Sequence, residues 1–263
     1  MNFQLAASSY LNSAPLIWSF LYGPHRASVD FVEAVPARCA QLLAEATVEG
    51  ALVPVIEYQR IPGGSLVPNV CVGSRKEVLS VVLVSKHKQL ENIRSVALDE
   101  SSRTSATLVK VIFREFLDHE PEWTTRAPQL AEMLEKYDAA LIIGDPGMTF
   151  PRQGLNVWDM ASLWKQHTGL GFVFAMWMVS DEATARARLV DFAAARDEGV
   201  AHVDEIVRSY EDKIPMPVAE LRNYLTENIV FKVDESMEKG LRLYFELAFK
   251  HGLIESVKPL RFI

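Results

Sequence analysis

The stretch SYLNSAPL, Ser9 to Leu16, joins an apolar run to an amphipathic one, and its reading decides the fold. Ahead of it, Phe3 to Ala7 reads as a short buried strand. Behind it, Leu16, Ile17, Phe20 and Leu21 recur at helical spacing. Ser13 reads as the N-cap of that helix and Pro15 as a first-turn residue. Tyr10, Leu11 and Asn12 are thereby left on a loop at the strand's carboxyl end, where open α/β sheets bind ligands. The free amides of such a helix start favour an anion. The same pattern also describes an ordinary strand-to-helix turn.

Working outward, Val29 to Val35 alternates as a strand, Pro36 opens a helix carrying Leu42 and Leu43, and Leu52 to Ile56 follows Gly50 as a further strand. This β-α-β-α-β series predicts a parallel sheet. The prolines and glycines between Pro62 and Gly73 read as an irregular connection. Leu79 to Ser85 is then a strongly apolar strand, and the polar turn from Lys86 to Leu90 is the expected crossover into a second lobe.

That lobe starts with a strand at Ser95 to Leu98, the run DESSRTSATL, and a helix carrying Leu108, Val109, Ile112, Phe113, Phe116 and Leu117. A strand is expected at Glu122 to Thr125, a helix around Leu130, Met133 and Leu134, and a buried strand from Ala139 to Ile143 that ends at Gly144 and Asp145. A helix from Asp159 to His167 stops at Thr168 and Gly169, and Phe172 to Val179 is a strand that returns to the first lobe. The remainder reads as helical, around Glu182 to Arg196, Val200 to Glu211, Pro217 to Glu227 and Glu235 to His251. The expected architecture is an α/β clamshell of two lobes with the ligand cleft between them. Lobe I comprises 1–86 and 173–263, lobe II comprises 87–172, and the hinges lie near Lys86–Leu90 and Gly169–Phe172.

Composition narrows the function. A chain of 263 residues, 49% hydrophobic, is long enough for two lobes of ordinary size. The formal charge of −7 and the lack of a basic stripe argue against nucleic acid. No apolar run approaches the roughly 18 to 20 residues of a membrane span. Met1 to Ala7 lacks the basic start and longer apolar region of a secretory signal, so a cytoplasmic protein is expected. Cys39 and Cys71 are too few for a disulfide framework, lack metal-ligand spacing and read as free thiols. A phosphate loop, a dinucleotide fingerprint, a His-Glu-x-x-His zinc helix and a nucleophile elbow are all missing. The six histidines fall mostly in polar segments and read as surface residues.

Ser101 to Ser105 forms a second candidate anion site. Ser102, Thr104 and Ser105 add hydroxyl donors to the amides of a helix start, and Arg103 adds charge, a set that suits a carboxylate. The alternative is a hydroxyl-rich cap with Arg103 in solvent. Asp99 reads as a turn residue. Asp145, in GDPG at 144–147, either faces the cleft or forms an Asx turn stiffened by Pro146. The strand FVFAMW, Phe172 to Trp177, reads as core whose first residues reach the cleft.

SYLNSAPL at 9–16, the segment from Pro36 to Tyr58, LDESSRTS at 98–105, LIIGD at 141–145 and LWKQHTGLGFVFAMW at 163–177 together resemble the chorismate dehydratase family of the futalosine route to menaquinone. The resemblance spans nearly the whole chain. It departs at EGALVP, Glu49 to Pro54, where relatives usually carry an acidic residue soon after the glycine, and at Gly171, where proline is common.

The resemblance implies a type II periplasmic-binding-protein-like fold used for catalysis in the cytoplasm, without metal, nucleotide or organic cofactor. The implied substrate is chorismate, a small-molecule dianion, which loses water to give 3-[(1-carboxyvinyl)oxy]benzoate. Asn12 and Ser80 are then expected at the reacting part, with Tyr10, Leu11, Ser13, Ser102, Arg103, Thr104, Ser105, Asp145, Gly169 and Phe172 around the substrate. Two alternatives compete. A related enzyme making 1,4-dihydroxy-6-naphthoate would need a larger pocket and a histidine near the chemistry. A non-catalytic small-anion sensor would share the clamshell.

Overall fold

The computed structural model describes residues 2–263; Met1 lies outside the described residues. Its strands are β1 (Phe3–Ala7), β2 (Val29–Glu33), β3 (Gly50–Pro54), β4 (Ser65–Ser74), β5 (Val81–Ser85), β6 (Ser95–Asp99), β7 (Glu122–Arg126), β8 (Ala139–Ile143), β9 (Asn156–Asp159) and β10 (Phe172–Val179). The helices are α1 (Ala14–Leu21), α2 (Pro36–Ala44), α3 (Glu57–Arg60), α4 (Thr104–Val111), α5 (Leu130–Lys136), α6 (Pro146–Thr149), α7 (Met160–Thr168), α8 (Thr184–Ala187), α9 (Phe192–Ala201), α10 (Val203–Tyr210), α11 (Val218–Asn223) and α12 (Glu235–Lys250).

The strands form two sheets, β2-β1-β3-β10-β4 and β7-β6-β8-β5-β9. In each sheet the first three strands are parallel, and the fourth runs antiparallel to both its neighbours. That fourth strand is the one that follows a crossing between the lobes: β5 on the way out, β10 on the way back. The two lobes thus share one topology, and each receives its antiparallel strand from the chain arriving from the other. Strands β3, β5 and β8 are buried along their whole length, as sheets covered on both faces require.

Three expectations need correction. The strand read at Leu79 to Ser85 belongs to the second lobe, because β5 pairs with β8 and β9. The outward crossing therefore lies at residues 75–80, not at Lys86–Leu90, where Lys86 donates to the Leu134 carbonyl and His87 meets Asp138 within the second lobe. Periodicity identifies a buried strand but not the sheet it joins. The connection read as irregular from Pro62 to Gly73 contains the ten-residue strand β4. β4 is the edge of its sheet, where Pro68 is tolerated, and Asn69 takes a left-handed φ of 58° beside it. The helix read around Glu182 to Arg196 is divided into α8 and α9 by Asp191, whose carboxylate caps α9 at the Ala194 amide.

The C-terminal residues close the edge at β4. Leu66 N–H bonds the Arg261 carbonyl at 2.8 Å, and Gly73 exchanges two backbone bonds with Val230. Gly171 explains the departure from proline noted above. Its N–H donates to Ser236 Oγ at 3.0 Å, a bond that proline has no hydrogen to make.

Candidate active site

The carboxyl ends of the two sheets face each other and enclose a chamber of about 60 Å³. From the first lobe it is lined by Ser8, Tyr10, Asn12 and Ser13 after β1, by Pro36 at the start of α2, and by Leu52, Pro54 and Val72. The second lobe contributes Val81, residues 101–105 after β6, and Ile143 and Gly144 after β8; Phe174 and Ala175 come from β10. Ligand position at the carboxyl ends of parallel strands is thus realised twice, once in each lobe.

The lobes touch around this chamber. Ile56 N–H donates to Thr104 Oγ1 at 3.3 Å, and Tyr244 Oη donates to the Thr104 carbonyl at 2.9 Å. Tyr10 and Ser101 line the chamber from opposite lobes, and burial pushes the Tyr10 phenol above the ordinary range. Gly144, at φ 69°, lets the second lobe approach that ring: a Cβ there would stand 2.8 Å from Tyr10 Cδ2.

The first predicted anion site is occupied from within the protein. The Leu11 N–H at the start of the 3-10 turn Leu11–Ser13 donates to Asp145 Oδ1 at 3.0 Å, across the lobes. Asp145 therefore does not face the chamber. Burial drives its carboxyl up to about 6, with the Leu11 amide opposing. Leu11 is fully buried. Ser13 stands at the N-cap position of α1, but its side chain does not cap; it meets Ser8 Oγ and donates to Asn12 Oδ1, both at 3.1 Å.

The second predicted site is better formed. Thr107 N–H makes the first helical bond of α4, to the Arg103 carbonyl, so the Thr104 and Ser105 amides precede the helical ladder. Asp99, buried beneath, accepts from the Ser101 amide, the Ser101 hydroxyl and the Ile143 amide at 2.9, 2.6 and 3.3 Å. This fastens the loop after β6 to the end of β8. Ser102 is 5% exposed, lines the chamber, and its hydroxyl has no hydrogen-bond partner. Buried hydroxyls are rarely left unpaired. Arg103 stands where the chamber meets an outer groove of about 560 Å³ shared with Arg38, Gln41 and Glu100.

Ser80 lies behind the chamber wall, fully buried, and accepts from Tyr224 Oη at 2.7 Å. Asn12, in contrast, does line the chamber. Ser80 is brought behind the wall by a tight bend: Leu79 takes φ 60°, and Ser80 N–H reaches the Val78 carbonyl at 2.7 Å. The Asp159 carboxylate holds the bend through the Val78 and Leu79 amides, at 3.0 and 2.7 Å, while capping α7 at Ser162. A left-handed leucine costs about 1–3 kcal/mol and persists where its surroundings hold it.

Of the expected residues, Tyr10, Asn12, Ser13, Ser102, Arg103, Thr104 and Ser105 come together on the chamber. Gly169 and Phe172 do not. Gly169 is the left-handed C-cap of α7, and Phe172 is packed between Trp164 and Tyr244 in the core. A β-bulge at Phe174, where β10 gains a residue against β4, breaks the strand's alternation and brings Phe174 and Ala175 to the chamber instead. Ser8 and Tyr224 were not anticipated. Ser8 adjoins a recognised motif, whereas Tyr224 lies far along the chain with no local signal. None of the six histidines lines the chamber. Among the described residues no group of acidic, histidine or cysteine side chains is disposed to hold a metal, and no helix is long and apolar enough to cross a membrane. Both cysteines are free and buried.

A family model described as menaquinone biosynthesis matches residues 3–250. The chain belongs to the menaquinone biosynthesis family. Similar members include a chorismate dehydratase of Thermus thermophilus, 30% identical over 234 residues that cover 82% of this chain and 85% of that one. A chorismate dehydratase of Campylobacter jejuni is 25% identical over 241 residues, covering 89% and 92%. Among solved structures, protein AF1704 of Archaeoglobus fulgidus superposes with a TM-score of 0.77 at 16% identity, covering 96% of this chain and 98% of that one. The CA3427 gene product of Candida albicans, described as having the generic periplasmic binding protein fold, gives 0.64 at 13% identity over 98% and 92%. This member of the menaquinone biosynthesis family therefore has the two-lobed periplasmic-binding-protein fold.

Proposed function

We propose that the protein is a cytoplasmic chorismate dehydratase, a hydro-lyase that converts chorismate to 3-[(1-carboxyvinyl)oxy]benzoate. The observation that carries the reading is the unpaired, buried Ser102 hydroxyl beside the free amides of α4, in the same chamber as Asn12. This is a carboxylate site beside a neutral carboxamide, in a member of a family whose curated relatives are named for chorismate.

The reaction removes the hydrogen from the ring carbon bearing the enolpyruvyl ether and expels the neighbouring hydroxyl as water. Proton loss places charge in conjugation with the ring carboxylate. Donors fixed on that carboxylate, from Ser102, Thr104 and Ser105, then stabilise the transition state more than the ground state. Asn12 is not a base at neutral pH. In this reading the enolpyruvyl carboxylate takes the proton intramolecularly, Asn12 orients the substrate, and the hydroxyl leaves as water with the proton that the carboxylate took. Ser80 lies behind the chamber wall and holds the Tyr224 hydroxyl there. Cavities of about 150 Å³ admit benzene, so a chamber of about 60 Å³ implies that the lobes part to load the substrate and close on it.

Incubation with chorismate, followed by mass and ultraviolet analysis, tests the proposal. Loss of one water with growth of aromatic absorption is expected. Binding without turnover would replace it with the sensor reading. The naphthoate-forming alternative is disfavoured by the absence of histidine from the chamber lining.

A further inference from the structure

We infer that the protein self-associates through the free edge of its second sheet, where β7 of one copy pairs antiparallel with β7 of a second copy about a two-fold axis at Thr124. The inference does not rest on the dehydratase reading. Of the four sheet edges, β4 is closed by the C-terminal residues. The β2 edge carries only acidic charges, Asp30 and Glu33. At the β9 edge, the Asp159 carboxylate is taken by the Val78, Leu79 and Ser162 amides. That leaves β7, which pairs with β6 on one side alone.

Backbone direction fixes which residues of β7 can bond outward. The Glu122 N–H donates to the Arg94 carbonyl at 2.8 Å, and the Arg126 carbonyl accepts from the Glu100 N–H at 2.9 Å. Glu122, Thr124 and Arg126 therefore aim their backbone groups at β6, and the alternate residues Trp123 and Thr125 aim theirs at solvent. Among the described residues neither outward amide bonds within the chain, and the Thr125 carbonyl meets only the exposed Arg126 guanidinium, at 3.3 Å. An antiparallel copy with Trp123 opposite Thr125 satisfies both amides. The same register sets Glu122 opposite Arg126 at non-hydrogen-bonded positions, where side chains stand closest. Within one copy those two charges are about 13 Å apart along the strand. Glu120 nearby is paired with Arg114, but among the described residues Glu122 and Arg126 form no ion pair, and Arg126 lies over the Tyr137 ring. The two-fold turns their separation into two ion pairs between copies, with Thr124 against Thr124 at the axis and Trp123 against Thr125 on the opposite face. Opposite charges, paired threonines and an aromatic beside a β-branched residue are each favourable across strands. Sliding one copy by two residues sets Glu122 or Arg126 opposite Thr124 and forms no ion pair. Edge charges ordinarily keep strands apart; these two are spaced to admit a copy of themselves. One strand pair buries less than the roughly 1,200 Å² of a stable interface, so the dimer is reversible.

Analytical ultracentrifugation of the protein from about 1 to 200 μM tests the pairing. Wild type should move from monomer toward dimer as concentration rises, and less so in about 0.5 M salt. Glu122→Arg and Arg126→Glu each set like charges opposite one another and should weaken association about 10-fold or more. Both side chains are exposed, so Tm should stay close to wild type. An equimolar mixture of the two variants rebuilds both ion pairs and should associate as wild type does, as should the double exchange Glu122→Arg with Arg126→Glu. Restoration in the mixture cannot arise from loss of fold, which keeps the test decisive should either variant be less stable alone. Wild type that stays monomeric across the range would overturn the inference. So would a dimer that persists in both single variants, which would sit on another surface, or folded variants whose mixture does not associate.

Discussion

Replacing Asp145 by Asn should stabilise the protein at neutral pH and leave it unchanged in acid. Asp145 ionises at about 6 in the folded chain, against an ordinary 3.8, because burial penalises its charge more than the Leu11 amide and the distant Lys213 compensate. At 1.36 kcal/mol per decade of pH, that displacement corresponds to about 3 kcal/mol of preference for the protonated form.

The sign follows from linkage. Between pH 4 and 6 the folded state holds the proton and the unfolded chain has released it, so stability falls as pH rises through this window and levels off above it. A carboxamide keeps an oxygen acceptor for the Leu11 N–H and carries no charge. Asp145→Asn should therefore gain about 1–3 kcal/mol over wild type at pH 8, with the gain shrinking to about a third of that at pH 4.5 and vanishing only below the ordinary carboxylate value. Urea unfolding of both proteins at half-unit intervals from pH 4.5 to 8 measures the difference directly, and groups common to both cancel. A difference that is flat with pH, or a variant less stable than wild type at pH 8, would refute the reasoning. Either result would mean that the carboxylate is worth more to the Leu11 amide than its desolvation costs.

Further outcomes are expected at the chamber. Asn12→Ala or Asn12→Asp should lower kcat by about 100-fold or more with the fold intact, since positioning dominates its role; near-normal turnover in both would remove that role. Ser102→Ala should raise KM for chorismate about 10-fold or more, the worth of a hydrogen bond to a charged group, without lowering Tm, because the hydroxyl has no partner to lose. An unchanged KM would place the carboxylate elsewhere. Gly144→Ala forces a side chain into a left-handed position against the Tyr10 ring and should cost about 1–3 kcal/mol, read as a lower urea midpoint; an unchanged midpoint would show that the lobes do not meet there. Arg103→Ala should raise the dissociation constant for chorismate, with a smaller salt dependence than wild type. A constant that does not move would put Arg103 in solvent.

Much of the fold was legible in periodicity. The strands at Phe3–Ala7, Ala139–Ile143 and Phe172–Val179 have the bounds that their apolar runs suggest, and Gly169 ends α7 as a left-handed cap. What periodicity missed were edge strands. β4 carries Pro68 and a left-handed Asn69, and β9 is a four-residue, half-buried pairing on the margin of its sheet. Edge positions relax the demand for unbroken apolar pattern, so they leave a weaker imprint.

At the site the sequence located the loops but not the aim of their side chains. SYLNSAPL and LDESSRTS both come to the chamber because strand ends and helix starts are local features, written in consecutive residues. Which helix start is open to a ligand is not local. The one after β1 has its Leu11 amide filled by Asp145, which lies in the other lobe, while the one after β6 keeps an unpaired Ser102.

The amino-acid sequence by itself determined the alternation of strands and helices, the two-lobed architecture and the loops that form the cleft, because each follows from patterning over a few turns of chain. Only the tertiary structure decided the sheet that Val81–Ser85 joins, the inward role of Asp145 and the bond from Tyr224 to Ser80. Those depend on contacts between residues about 54 to 144 positions apart, and such contacts leave no spacing in the sequence to read.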